Sequence, residues 1–305
     1  MTTNRSGAHA RYESPPAESS VPPAARADAE YAGVSSLERL EIELLLQAVY
    51  RHYGHDFRSY AFSSLRRRLR KRLDGEGLTT FSALQDRILH DEAALERLLR
   101  DLSVSVTGMF RDPSFFLGLR EKVVPLLRTY PFVRIWHAGC ATGEEVYALA
   151  IMLEEEGLYD RARVYATDIS AVALDKAKLG VFPLARMREC TSNYLQAGGT
   201  RAFSGYYTAN PECAVFDAKL RRNVLFAQHN LATDTSFSEF NLILCRNVMI
   251  YFDRDLKSRV LKLFEDSLAS LGVLCLGRRE SLRFTCAEND YDEIDARERI
   301  YRRRR

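Results

Sequence analysis

Two adjacent acids, Glu144 and Glu145, open a helical pattern directly after a short turn bounded by Gly139 and Gly143. The turn itself ends an apolar run over 132–138. Strand, glycine-bounded turn and amphipathic helix together read as a small-molecule loop at the carboxyl end of a strand. The acids select against a phosphate ligand. A helix N-terminus offers free N–H groups and a partial positive charge to an anion, and two carboxylates there repel a pyrophosphate and welcome an ammonium group. The turn also lacks the G-x-G-x-x-G spacing of dinucleotide sites, which disfavours a nicotinamide oxidoreductase. S-adenosylmethionine fits these residues: a nucleoside with no phosphate that carries an amino acid and a sulfonium.

Four further groups could complete such a site. Asp168 ends a second strand pattern, where an acid hydrogen-bonds a ribose diol; the alternative is a cap on the helix starting near Ser170. Asn230 and Leu231 follow a third strand and suit an adenine edge, or else form a turn before Thr233 and Asp234. Asn247 follows a buried strand and is placed to hold the methionine part of a cofactor. Tyr251, four residues on, would line a transfer pocket or simply pack. Thr107 and Arg111 lie between a helical region and the α/β region. The Arg111 fork matches a carboxylate, either of an acceptor or of the cofactor, and could instead form an interdomain salt bridge.

These residues need a scaffold, and the periodicity supplies one. Strands are predicted over 132–138, 163–167, 224–227, 241–245 and 273–276, and helices over 144–155, 171–179 and 254–271. Alternating strands and helices imply a parallel, doubly wound α/β sheet. The stretch 181–222 is too long for a simple connection and reads as an inserted subdomain, with small strands. Upstream, helical patterns begin at Ser36 and continue over 57–73, 80–89 and 92–101, with one more over 115–127 leading into the sheet. We expect a disordered tail over 1–35, a helical domain over 36–110, and an α/β domain over 111–305.

Bulk properties exclude other classes. With 305 residues, 46% hydrophobic and 28% charged, the chain has the composition of a globular protein. The net charge of +3 makes no global demand for nucleic acid. The six cysteines show no metal-ligand spacing, so reduced thiols and no metal are expected. No apolar run nears the roughly 18 residues that span a bilayer, and no secretory signal is evident. A cytoplasmic monomer is expected, without membrane insertion. The segment 51–72 holds eight Lys or Arg and one acid, Asp56. Its core, Arg66, Arg67, Arg68, Arg70, Lys71 and Arg72, is either a solvated helix face or a dock for an acidic partner. No aromatic residues interleave it to stack on bases.

Four segments together resemble the CheR-type protein-glutamate O-methyltransferases: Val106-Thr-Gly-Met-Phe-Arg-Asp-Pro113, Arg134-Ile-Trp-His-Ala-Gly-Cys-Ala-Thr-Gly-Glu-Glu145, Ala166-Thr-Asp-Ile169 and Cys245-Arg-Asn-Val-Met-Ile-Tyr-Phe-Asp253. The resemblance implies a helical N-terminal domain, then a Rossmann-like methyltransferase domain with a small β-subdomain inserted. It implies methyl transfer from S-adenosylmethionine, leaving S-adenosylhomocysteine, to glutamates on the cytoplasmic helical domain of chemoreceptors. It implies that Ser105, Thr107 and Arg111 touch the cofactor, with Arg111 and Tyr251 at the transfer site. Glu145 would hold the methionine ammonium and Asp168 the ribose, and Gly139, Asn230, Leu231, Asn247 and Val248 would complete the pocket. Arg66, Arg67, Arg70 and Lys71 would face the receptor. Two positions depart from the pattern: Ser105 stands where the family often has Asn, weakening one expected contact, and Met109 where it often has Phe. The alternatives are a methyltransferase of another protein or a small acid, and a binding module that senses S-adenosylmethionine.

Overall fold

The computed structural model describes residues 34–102, 107–283, 285 and 287–304. The expected 1–35 tail lies almost wholly outside them, as does Ser105.

Among the described residues the N-terminal domain holds four helices: α1 (Ser36–Tyr53), α2 (Phe62–Gly75), α3 (Phe81–His90) and α4 (Glu92–Leu102). Ser35 caps α1 by accepting the Glu38 N–H, and Gly54 ends it in the left-handed conformation. Ile42, Leu45, Leu65, Leu69, Leu84, Ile88 and Leu98 interlock as its core. The second helix begins at Phe62, not at residue 57. The reason is non-local. The Ala61 N–H donates to the Tyr251 carbonyl (2.8 Å), the Asp253 N–H donates to the Ser59 carbonyl (2.9 Å), and Tyr60 bridges to Phe252. Backbone groups that a helix would use internally here bind the other domain.

The link to the sheet is α5 (Pro113–Gly118), a π-helical turn (Leu119–Val123) and α6 (Val124–Leu127). The widened turn ends two residues before Pro125, which has no N–H for an ordinary turn. Next come β1 (Val133–Ala138), α7 (Glu144–Glu155), β2 (Ala162–Asp168) and α8 (Ala171–Leu179). The insertion holds β3 (Val181–Pro183), α9 (Met187–Gln196), β4 (Tyr207–Ala209) and β5 (Cys213–Phe216). Its strands pair antiparallel as β3-β5-β4; α9 was not foreseen. Then follow β6 (Val224–Gln228), β7 (Phe240–Cys245), α10 (Arg254–Ser267), β8 (Leu268–Leu276), β9 (Tyr291–Asp295) and β10 (Ile300–Arg303). The last helix therefore stops at Ser267 rather than 271, because β8 already pairs with Phe240 at Leu268.

The main sheet runs β6-β2-β1-β7-β8-β10-β9. Its first five strands are parallel, and β10 runs against its neighbours β8 and β9. Both faces of the central strands are buried, as parallel strands require. Ile135, Val164, Leu242 and Val273 pack with α5–α7 on one side. Trp136, Ile243 and Leu274 pack with α10 on the other, and the Trp136 indole donates to Thr167 Oγ1 at 2.8 Å. This is the Rossmann-like arrangement. The chain steps from β1 outward to β2 and β6, then returns to β7 on the far side of β1. The loops after β1 and β7 diverge at that reversal and open a crevice.

Candidate active site

The loop after β1 is set by backbone geometry that few residues tolerate. Gly139 has φ +76°, and a Cβ there would stand 2.4 Å from Val248 Cγ2. Ala141 is also left-handed, with φ +49°. The Asp168 carboxylate holds this loop: Oδ2 accepts the Ala141 N–H (2.8 Å) and Oδ1 accepts the Ser170 N–H (2.9 Å). The cap of α8 is Ser170 itself. Asp168 is thus a latch between two loops, and it faces the crevice. Burial pushes its pKa up, against the pull of those two N–H groups.

The paired acids diverge. Glu144 accepts the Thr142 hydroxyl at 2.6 Å, and Arg186 of the insertion lies 3.7 Å away. Burial raises its pKa. Glu145 turns inward. Its Oε1 accepts from Arg246 Nη1 at 2.9 Å and lies 3.8 Å from His137 Nε2. Burial alone would raise the Glu145 carboxyl, but Arg246 and His137 outweigh it and pull the pKa down to about 2. The Arg246 side chain is 1% exposed. Its other arm donates to Asp112 at 2.7 Å, and its carbon lies 3.9 Å from the centre of the Phe115 ring. Arg111 sits between Phe110 and Asp112, both left-handed at φ +52° and +54°. The Arg246 fork thereby clamps the Arg111 loop to the start of α7.

The loop after β7 is held by a residue that sequence reasoning missed. Glu280, 5% exposed, accepts four backbone N–H groups: Asn247 (2.9 Å) and Gly277 (2.6 Å) on Oε2, Val248 (3.0 Å) and Ile250 (3.3 Å) on Oε1. Burial pushes its pKa up while the N–H groups pull it back. Asn247 is left-handed, with φ +61°, and its Oδ1 is buried with no partner among the described residues. Of the six non-glycine left-handed residues that the structure describes, Ala141 and Asn247 line the crevice, and Phe110 and Asp112 flank Arg111, which also lines it, as stored strain does at ligand sites.

The crevice is an open cleft lined by both polar and apolar side chains. It brings together Gly139, Glu145 and Asp168 from the loops after β1 and β2, and Asn230 and Leu231 from the loop after β6. Asn247, Val248 and Tyr251 come from the loop after β7, and Thr107 and Arg111 from the interdomain connector. Asn230 also forms the turn that was the alternative reading, with its Oδ1 accepting the Ala232 N–H at 3.0 Å. Tyr60, His137, His229 and Arg246 also line the crevice and were not foreseen. Arg246 stands beside Asn247 in sequence, a signal that was available. Tyr60 reaches the site only because the domains pack together, and nothing in its neighbourhood announces that.

The basic run of α2 is less uniform than its sequence implies. Arg66 and Arg70 both pair with Glu38 of α1 at 2.8 Å. Arg72 pairs with Asp101 and Glu76, and Lys71 lies 3.7 Å from Asp101. Arg68 departs from the solvated-face reading: it is buried, its guanidinium 4.2 Å from the centre of the Tyr251 ring. Arg67 is exposed, and Lys71 is 78% exposed. No helix among the described residues is long and apolar enough to cross a membrane, and none of their His, Cys, Asp and Glu side chains cluster as a metal site.

Comparison with known proteins bears on this geometry. Residues 105–299 match the family described as CheR methyltransferase, SAM binding domain. Residues 40–103 match CheR methyltransferase, all-alpha domain. A candidate methyltransferase of Pseudomonas putida named Cher3 is 48% identical over 264 residues, covering 87% of this chain and 97% of that protein. A chemotaxis protein methyltransferase of Listeria innocua is 29% identical over 243 residues, covering 77% and 88%. Among solved structures, a SAM-dependent methyltransferase from Geobacter sulfurreducens in complex with S-adenosyl-L-homocysteine aligns with a TM-score of 0.32 and 13% identity, over 56% of this chain and 49% of that one. That likeness is too distant to add weight.

Proposed function

The chain belongs to the CheR methyltransferase family and takes S-adenosylmethionine as cofactor, and on that premise we propose that it methylates glutamate side chains of chemoreceptors, forming methyl esters. What the bound cofactor supplies is a methyl carbon made electrophilic by a positively charged sulfur. The chain's residues fit such a ligand. The unpartnered Asn247 Oδ1 is a buried acceptor, which an ammonium would satisfy. Glu145 lines the same crevice and is held ionised by Arg246 and His137. Asp168 offers acceptors for a ribose diol, and Asn230 with Leu231 the edge and cover for an adenine. Thr107, Gly139 and Val248 complete the wall.

An acceptor glutamate, with an ordinary pKa of about 4.3, is already ionised near pH 7, so no general base is needed. The protein's task is alignment and exclusion of water. In this reading Arg111 orients the acceptor carboxylate through its planar fork. Tyr251 shapes the transfer pocket, itself held by Arg68 against its ring. The observation that carries the reading is that Arg111 faces the same crevice as the acidic anchors Glu145 and Asp168, with its loop clamped by Arg246.

The docking surface for the receptor's helical domain would be α2, through Arg67 and Lys71, with Arg66 and Arg70 beside them already sharing Glu38. The reading places the enzyme in the cytoplasm and needs no second copy, since every residue named comes from one chain. Incubation with methyl-labelled S-adenosylmethionine and a purified chemoreceptor cytoplasmic domain tests it. Base-labile label on the receptor is expected. Cofactor binding without transfer to any receptor would contradict the reading and favour a sensing module.

A further inference from the structure

We propose that Glu280 is a positioning residue for the amino-acid end of the cofactor site: its buried carboxylate builds the turn that carries Asn247. It lies on the segment after β8, outside the four motifs. Its two oxygens collect N–H groups from the ends of two adjacent strands, Gly277 after β8 and Asn247, Val248 and Ile250 after β7. A single carbonyl oxygen could not take all four, because Oε2 already holds Gly277 and Asn247 while Val248 and Ile250 use Oε1. Without the carboxylate each of the four N–H groups would lose its acceptor at a position wholly or partly shielded from water.

The consequence falls on two neighbours. Asn247 sits at φ +61°, a left-handed conformation that Asn tolerates better than most L residues but that is still sparsely populated without support. The bond from its N–H to Glu280 is part of that support. Val248, one residue on, fills the space beside Gly139, where a Cβ would collide with it. The Glu280 latch therefore fixes both the acceptor atom Oδ1 of Asn247 and the wall that Gly139 packs against. Asp168, Asn230 and Leu231 lie across the crevice on loops that Glu280 does not touch.

This inference rests on the functional reading above, in which Asn247 serves the amino-acid end and Asp168 the ribose. It predicts a selective defect. Glu280→Gln keeps the shape but turns one acceptor oxygen into a donor. Affinity for S-adenosylhomocysteine, measured by calorimetry, should fall about tenfold or more. Affinity for 5′-methylthioadenosine, which has the nucleoside and lacks the amino acid, should stay within about twofold. Gly277→Ala is an independent probe that keeps the carboxylate. Its Cβ would stand 2.6 Å from Glu280 Oε2 and 2.8 Å from the Asn247 nitrogen, prising the latch open, and the same selective loss is expected.

Equal loss for both ligands in the two variants would overturn the inference, since it would mean general destabilisation. No loss for either ligand would overturn it as well. The parent protein separates this failure from that of the underlying reading. If the parent binds S-adenosylhomocysteine no better than methylthioadenosine, the assignment of an amino-acid end to this crevice is itself wrong.

Discussion

Replacing Arg246 by Met should reveal how much of the site depends on one buried cation. Met keeps apolar contact with Phe115 and removes the charge shared by Glu145 and Asp112. Breaking a buried pair from one side costs about 3–5 kcal/mol, because the other charge stays buried and alone. Asp112 is partly exposed and lies 3.8 Å from Arg278, so most of the loss comes from Glu145. At about 2–4 °C per kcal/mol for a domain of this size, Tm should fall by about 10 °C. The pH dependence has a definite sign. In the parent, Glu145 has a pKa near 2, below its unfolded value, so it stabilises above that unfolded value, and the contribution disappears as pH falls through about 2. In the variant, only His137 still opposes burial, so the pKa rises and the neutral form gains weight on folding. The penalty relative to the parent should therefore shrink between pH 7.5 and pH 5. The double variant Glu145→Gln, Arg246→Met removes both charges and should recover most of the stability while binding S-adenosylhomocysteine poorly. Thermal unfolding at the two pH values and calorimetry at pH 7.5 decide it. A loss under about 1 kcal/mol for the single variant, or no recovery in the double, would refute the reasoning.

Arg111→Ala should slow methyl transfer on the order of 100-fold at saturating cofactor, read from initial rates; a near-normal rate would remove Arg111 from the transfer site. Asp168 has a raised pKa, so affinity for S-adenosylhomocysteine should weaken as pH falls through it and a ribose acceptor is lost. Asp168→Asn should bind about tenfold more weakly at pH 7.5 and no longer show that limb in calorimetry across pH. Arg67→Glu with Lys71→Glu should raise KM for the receptor domain several-fold, more at low salt than at high, and leave cofactor affinity unchanged; an unchanged KM would remove α2 from the docking surface.

The local signals of this chain were legible where sequence spacing and spatial neighbourhood coincide. The stretch from residue 132 to 155 needs only a short apolar run, a glycine turn and a period of 3.6, and β1, its loop and α7 lie within a residue of where that pattern puts them. Asp168 and Asn247 announce themselves because polar groups at the ends of buried strands face the crevice. What stayed hidden depends on distant partners. Residues 57–61 carry a helix-like pattern, yet their backbone pairs with residues 251–253, some 190 positions away. Arg68 looked like one of six surface cations, although it stands three residues after Leu65 and next to Leu69, on the buried side of α2. Glu280 follows Arg278 and Arg279 in a segment with no apolar pattern, so nothing marked its carboxylate as the anchor of another loop. The strands β9 and β10 were missed because Tyr-Asp-Glu-Ile-Asp and Ile-Tyr-Arg-Arg lack an apolar run. They lie at the edge of the sheet, where one face stays wet.

The central claim is that this crevice delivers a methyl group to a receptor carboxylate, and peptide mapping of the product tests it most directly. A chemoreceptor cytoplasmic domain is incubated with the protein and S-adenosylmethionine, digested and sequenced by mass spectrometry, with Arg111→Ala as the matched control. The account predicts methyl esters on defined glutamates, lost on brief exposure to base and nearly absent with the Arg111 variant. Methylation on lysine, arginine or another base-stable position, or equal esterification by the variant, would contradict it.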